Sequence, residues 1–360
     1  MLSRPAAKLL TMVALATTPS VAASQQGAPA GDPLPQLTSD YVMVLDGVLE
    51  RVLQDFAIPG LAVGIVENGQ PVYMRGFGVR EQGTDQPVNA HTLFHVGSIT
   101  RTFTVTAIMQ LAEHDQLALT DSIVDSSVTV AQLLTRDDAA FDSLAGIIES
   151  ATQQKYSQYM QARVLDVAGL AESTFETPPV DSNVAWPHVG KIFVRRAPRY
   201  PWDEKAAASS GLSTSIADLT RWAALHVNRD PSLLSPASYD AMFKHQRDGE
   251  HEKMAMALGW ELEHHGSEWL PSLTTKYRGF SAQLTLYPSQ KRAIVILSNG
   301  EATPGKEIRG VIESILAGEA YLPPNPPLLL RSDFRWALGG LLAMSVLLVA
   351  VTMYRRRRPL

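Results

Sequence analysis

Ser98-Ile99-Thr100-Arg101 sets a hydroxyl and a guanidinium three residues apart at the start of a helically spaced apolar run. That spacing puts both groups on one helix face about one turn apart, the arrangement a serine nucleophile needs toward a proton acceptor. A lysine can serve as that acceptor because burial lowers its pKa, whereas a guanidinium titrates at about 12.5 to 13.8 and stays charged. Neutralising it at pH 7 would cost about 8 kcal/mol. Arg101 is therefore a poor base, although it could clamp an anion beside the backbone N–H groups of the helix start. Ser98 has a second reading, since serine at a helix start is a common N-cap.

These residues must be positioned by a chain of 360 residues with 45% hydrophobic content, enough for one large core or two subdomains sharing a cleft. A formal net charge of −5 with both signs dispersed argues against nucleic acid as a partner. The absence of cysteine excludes a thiol nucleophile, disulfides and a thiolate metal site. The histidines are dispersed with no zinc-like spacing, so neither a metal nor a cofactor is expected.

Arg4 and Lys8, the apolar stretch from Leu9 to Ala16 and the small residues Val21-Ala22-Ala23 read as a signal peptide over 1–23. Residues 24–37 read as a loose leader and 38–320 as the folded domain. Residues 321–335, with Pro323-Pro324-Asn325-Pro326-Pro327, read as a stiff linker. Trp336 to Tyr354 carries no charged residue and is long enough for a single transmembrane helix, and 355–360 begin with the arginines Arg355 to Arg358 that mark a cytoplasmic end.

Within the domain, Leu45, Val48, Val52 and Phe56 predict a helix with Ser39 or Asp40 as N-cap, ending before Pro59. Leu61 to Val66 and Val72 to Val79 predict a hairpin about Asn68-Gly69. Phe103, Ala107, Ile108 and Leu111 predict a buried helix after Ser98, stopping near His114 to Gln116. Phe141 to Thr152 predicts another, with Phe141, Leu144, Ala145 and Ile148 inward. Ser215-Ile216-Ala217-Asp218 resembles a capping box ahead of Leu219 to His226. Ala282, Leu284 and Leu286 alternate as a strand, Ala293 to Leu297 forms an apolar one, and Ile308, Val311 and Ile315 line a closing helix.

This order and several local strings resemble the serine β-lactamase and penicillin-binding-protein superfamily, specifically its class C-like group of esterases and peptidases. The strings are IPGLAVGIVENGQPVYMRGFGV, TLFHVGSITRTFTVTAIMQLAEHDQLALTDSI, LLT, LAGIIESATQQKYSQYM, VAGLAESTF, SSGLSTSIADLTRW and GFSAQLTLYPSQKRAIVILSNG, and they cover about Asp40 to Leu316. The resemblance implies an α/β (α+β) fold, an antiparallel sheet flanked by helices with a helical subdomain. It also implies three motifs around one cleft: Ser-x-x-Lys, Tyr-x-Asn or Ser-x-Asn, and Lys-Thr-Gly or His-x-Gly.

Here the first reads Ser98 to Arg101, with Ser98 the candidate nucleophile and Arg101 in place of the lysine. The second falls on Arg136-Asp137-Asp138, and the loop that separates it from Leu134-Thr135 in relatives is missing. The third becomes Leu273-Thr274-Thr275, without its charge or its glycine. His264-His265-Gly266 fits a hairpin turn, while His188-Val189-Gly190 and His95-Val96-Gly97 are chance matches; Lys276 is a substitute charge expected on an exposed turn. Arg101 is expected to pair with Asp137 or Asp138. Two functions follow as expectations: a catalytically impaired homologue acting in binding or as a partner, or an active hydrolase working through Ser98. The partners would be the membrane through Trp336 to Tyr354, a peptide, cell-wall or small acyl ligand, and a membrane protein. The two ends of the chain, the signal pattern and the basic stop after the apolar span, place the domain on the periplasmic side of a bacterial cytoplasmic membrane as an expectation.

Overall fold

The computed structural model describes residues 37–122, 127–179, 181–190, 194–198, 203–249, 253–321 and 339–350. The expected signal peptide, nearly all of the leader and linker, and the basic tail lie outside these residues. So do the two ends of the expected membrane span. Residues 339–350 are helical and exposed, and no helix among the described residues is long and apolar enough to cross a membrane.

The sheet is antiparallel and assembled from both ends of the chain. β1 (Gly60–Glu67) and β2 (Gln70–Gly78) form the first hairpin. Asn68 and Gly69 both take positive φ at its turn, which is why that dipeptide signalled it. The later strands are β3 (Arg247–Asp248), β4 (Met254–Met256), β5 (Glu261–His265), β6 (Glu268–Tyr277), β7 (Phe280–Tyr287) and β8 (Arg292–Ser298), in the order β2-β1-β8-β7-β6-β5-β4-β3. β8 pairs with β1, Leu61 opposite Ser298, so the last strand closes on the first.

Both faces of the central strands are covered, which explains runs of apolar residues instead of simple alternation. On one face, Leu61, Val63, Ile65, Ile294 and Ile296 pack against α1 (Ser39–Asp55) and α6 (Gly305–Leu316). The first helix is buried through Leu45, Val48 and Val52 as expected, but its N-cap is Thr38, whose side chain makes no capping bond. On the other face, Ala62, Val66, Leu284, Val295 and Leu297 join the larger core with α2 (Thr100–Glu113), α3 (Asp138–Thr152), α4 (Ile216–Val227) and α5 (Pro236–Phe243). Gly64 permits this packing, because a Cβ there would lie 1.8 Å from Thr220 Oγ1 of α4.

Two local expectations change. α3 begins three residues before Phe141 because Asp137 caps it, accepting from the Ala140 N–H at 3.0 Å. Only half of the box at Ser215 forms. Ser215 Oγ accepts from the Asp218 N–H at 3.1 Å, while the Asp218 carboxylate turns inward to the Glu172 and Ser173 N–H groups at 2.9 and 2.8 Å. His264 and His265 close β5 before a turn at Gly266, as the hairpin reading expected.

Candidate functional site

The turn that carries Ser98 is a single 3₁₀ turn, Gly97–Ile99, feeding directly into α2. Gly97 has φ +49°, and a Cβ there would meet Thr275 Oγ1 at 2.6 Å and the Tyr277 Cβ at 2.9 Å. Only glycine lets the nucleophile turn press this closely on β6. The helical turn Ala207–Ser210 packs on the other side, and the Leu212 N–H reaches Thr100 Oγ1 at 3.2 Å.

Ser98 does not cap α2: the residue at the N-cap is Ile99, and no side chain makes a capping bond. The N-cap reading is therefore corrected, because the 3₁₀ turn carries the chain into the helix and leaves the hydroxyl outside its first turn. Ser98 is half-buried, and among the described residues neither its hydroxyl nor its N–H has a hydrogen-bond partner. The neighbouring Gly97 N–H is committed to His95 Nδ1 at 3.2 Å, and the Ile99 N–H to the Val96 carbonyl at 3.2 Å.

Arg101 pairs with Asp138, as one of the two expected partners. Its Nε donates to Asp138 Oδ1 at 3.1 Å, a second guanidinium N–H reaches the same oxygen, and Nη1 donates to the Arg136 carbonyl at 3.3 Å. The guanidinium also lies over the Phe141 ring at 5.0 Å. Its side chain is 12% exposed against 55% for Asp138, so the pair closes the helical side of the site from its rim. Asp137 is not the partner, because it is occupied as the α3 cap. Nor is Arg101 a free anion clamp, since its donors already face Asp138 and the Arg136 carbonyl.

The third motif position does reach the nucleophile turn. Leu273, Thr275 and Tyr277 share one face of β6, with Leu273 buried in the larger core and Thr275 against Gly97. Where a lysine or histidine would bring charge, the chain has a core leucine. Lys276 sits inside β6 and faces the other way, which corrects its expected place on a turn; the turn is Arg278-Gly279. His188 is fully buried, accepting from the Gln82 N–H at 3.0 Å and donating from Nδ1 to the Asn299 carbonyl at 3.0 Å, a structural role.

Sequence reasoning missed the aromatic wall beside this turn. His95 stacks on Tyr277 with ring centroids 5.0 Å apart and on Phe280 at 6.2 Å. Burial, and then the charge of Arg278, lowers the His95 pKa to about 4, so its ring is neutral near pH 7 and its Nδ1 can accept from Gly97. These rings, with Ser210, Gly211 and Ser213 opposite, line a pocket next to Gly97 that Glu176 and Asp203 also border. The signal for Tyr277 was present, two residues beyond Thr275 and thus on its face.

The geometry sets a serine hydroxyl on a 3₁₀ turn ahead of the buried helix α2, between Thr275 of β6 and the Arg101–Asp138 pair. The Beta-lactamase family model matches residues 45–136 and 137–317, and the chain belongs to that family. Protein flp of Staphylococcus aureus strain MW2 is 24% identical over 324 residues, covering 73% of this chain and 64% of that protein. The chain thus spans under two thirds of the length of this relative. A Beta-lactamase of Pseudomonas fluorescens is 34% identical over 83 residues, 23% of each chain. Among solved structures, the octameric penicillin-binding protein homologue from Pyrococcus abyssi superposes with a TM-score of 0.70 at 22% identity, covering 77% of this chain and 78% of that one. The D-alanine carboxypeptidase AmpC from Burkholderia cenocepacia gives 0.67 at 19% identity, covering 78% and 100%. These likenesses show the fold.

Proposed function

We propose that this chain is an exported, membrane-anchored member of the family that has lost acyl transfer and binds a ligand or partner at its former active site. The reading rests on one observation: Arg101, in the place of the base, is ion-paired to Asp138 and bonded to the Arg136 carbonyl, while among the described residues the Ser98 hydroxyl contacts no proton acceptor. The core position of Leu273 supports it further. Anchoring is supported by the uncharged run Trp336 to Tyr354 and by Arg355 to Arg358, and export to the periplasm by the N-terminal pattern. A peptide, a cell-wall fragment or a small acyl compound suits the pocket beside Gly97, which combines aromatic walls with a few polar groups.

One observation favours the second reading, an active esterase or peptidase. Among the described residues the Ser98 N–H and hydroxyl are both unoccupied, and Ser98 is half-buried, as a nucleophile with a residual oxyanion donor would be. The test treats membranes from cells making the full-length chain with a fluorophosphonate and with a penicillin. Wild type, Ser98→Ala and Arg101→Lys are expected to pellet with the membranes and to remain unlabelled. Strong labelling of wild type that disappears in Ser98→Ala would establish the hydrolase instead.

A further inference from the structure

The face of β6 turned away from Ser98 carries a second concentration of polar groups. Thr274 lies opposite Gln283 and Lys276 opposite Ser281 in the β6–β7 ladder, so these four side chains share the face that α6 covers. Together with the first turn of α6 they line a pocket at that helix's N-terminus, to which Lys306 and Glu307 also contribute. α6 is twelve residues long, its N-cap is Pro304, and no side chain caps it. Among the described residues the N–H groups of Lys306 and Glu307 have no acceptor, and neither Lys276 nor Lys306 forms an ion pair. Unmatched donors and the helix dipole give this end a positive potential.

The independent sign of a missing ligand is Gln283. It is 2% exposed, and among the described residues its Oε1 has no hydrogen-bond partner. A Cβ on Gly305 would stand 2.8 Å from that oxygen, so the carboxamide reaches the first turn of α6. On its inner side, Gln283 Nε2 meets Thr285 Oγ1 at 3.4 Å, and Thr285 Oγ1 already accepts from Arg309 Nη1 at 3.2 Å. Turning the carboxamide over lets the Thr285 hydroxyl donate to the Gln283 oxygen and presents the Gln283 NH₂ outward. Arg309, Thr285 and Gln283 then form a relay of donors ending in the pocket.

We propose that this pocket binds a phosphate group, held by Lys276 and Lys306, the Gln283 carboxamide and the open N–H groups of α6. Helix N-termini flanked by lysines suit such a ligand on general grounds. Glu307 borders the pocket and Glu263 lies within electrostatic reach of Lys306, so these carboxylates set the affinity below what the lysines alone would give. The site is separate from the Ser98 cleft and does not depend on whether that cleft turns over.

Inorganic phosphate titrated into the full-length chain at constant ionic strength tests this by calorimetry. Saturable binding is expected, weakened at least about tenfold in the Lys276→Gln/Lys306→Gln double variant and tightened in Glu307→Gln. Displacement by glycerol phosphate, a monoester, upholds the site and points to a soluble phosphate; displacement by glycerophosphoglycerol, a diester, upholds it and points to a lipid headgroup. No saturable binding to wild type, or binding unchanged in the double variant, would overturn the proposal. General salting-out stabilisation by phosphate would leave the two proteins alike.

Discussion

Arg101 stands where the resemblance expects a lysine, and the fold holds it as an ion-paired, packed side chain. Its guanidinium is mostly buried, lies over Phe141 and spends three donors on Asp138 and the Arg136 carbonyl, so its charge is held in place. Because Asp138 is 55% exposed, the ion pair is worth little against water. A double-mutant cycle of Arg101→Ala and Asp138→Ala, followed by urea unfolding, is expected to give a coupling of about 0.5–1 kcal/mol. Arg101→Ala should cost more than Asp138→Ala, since it also loses its packing on Phe141. A coupling of zero would mean that the two residues do not hold each other. The pairing of Arg101 with an aspartate at 137–138 was readable from the sequence, because opposite charges are expected to meet across the cleft. What occupies the hydroxyl was not, since a helix cap and a free serine have the same letter; the 3₁₀ turn at Gly97–Ile99 decides it.

At the scale of elements, the sequence was most legible where one physical constraint acts alone. The Asn68-Gly69 turn needs positive φ at both residues, and α1 shows its buried face through Leu45, Val48 and Val52. It was less legible where two elements negotiate. Asp137 and Asp138 look equivalent in the chain, but the helix start takes the first as a cap and frees the second for Arg101. Gln283 reads as a polar break in an apolar strand until α6 is laid over it. One close element contact is at Gly64, where α4 crosses β1 with Thr220 fully buried and its hydroxyl bonded to the Ile216 carbonyl at 2.6 Å. Gly64→Ala should therefore lose about 1–3 kcal/mol by overpacking. Thr220→Ala introduced into that variant should restore part of the loss, because it removes Oγ1, which the new methyl would meet at 1.8 Å, while the Thr220 Cβ and Ile216 contacts beyond 3 Å stay. If the double variant is no more stable than Gly64→Ala in chemical denaturation, the helix approach is not what requires glycine.

Across the whole molecule, buried histidines couple stability to pH. His226 is enclosed by Trp222, Tyr239, Phe243 and Trp260; its Nδ1–H donates to the Trp222 carbonyl at 3.0 Å, and Nε2 has no partner. Burial lowers its pKa to about 4, and His95 is lowered to about 4 by burial and by Arg278. An unfolded histidine titrates near 6.5, so between about 6.5 and 4 the unfolded chain binds more protons than the folded one. Stability must then fall as pH falls through that window, by up to roughly 3 kcal/mol for each of these histidines at pH 4. Burial raises the Asp142 and Asp218 carboxyls, which works in the opposite sense where carboxylates titrate, so the loss is steepest in the upper part of the window. His226→Phe keeps an aromatic ring in the cluster and removes the titrating nitrogen. Urea unfolding at pH 7, 5.5 and 4 should show a smaller loss on acidification in this variant than in wild type, the remainder coming from His95 and His188, both lowered by burial. An unchanged pH slope would mean that protons enter the fold elsewhere and that the aromatic cage around His226 does not exclude its charged form.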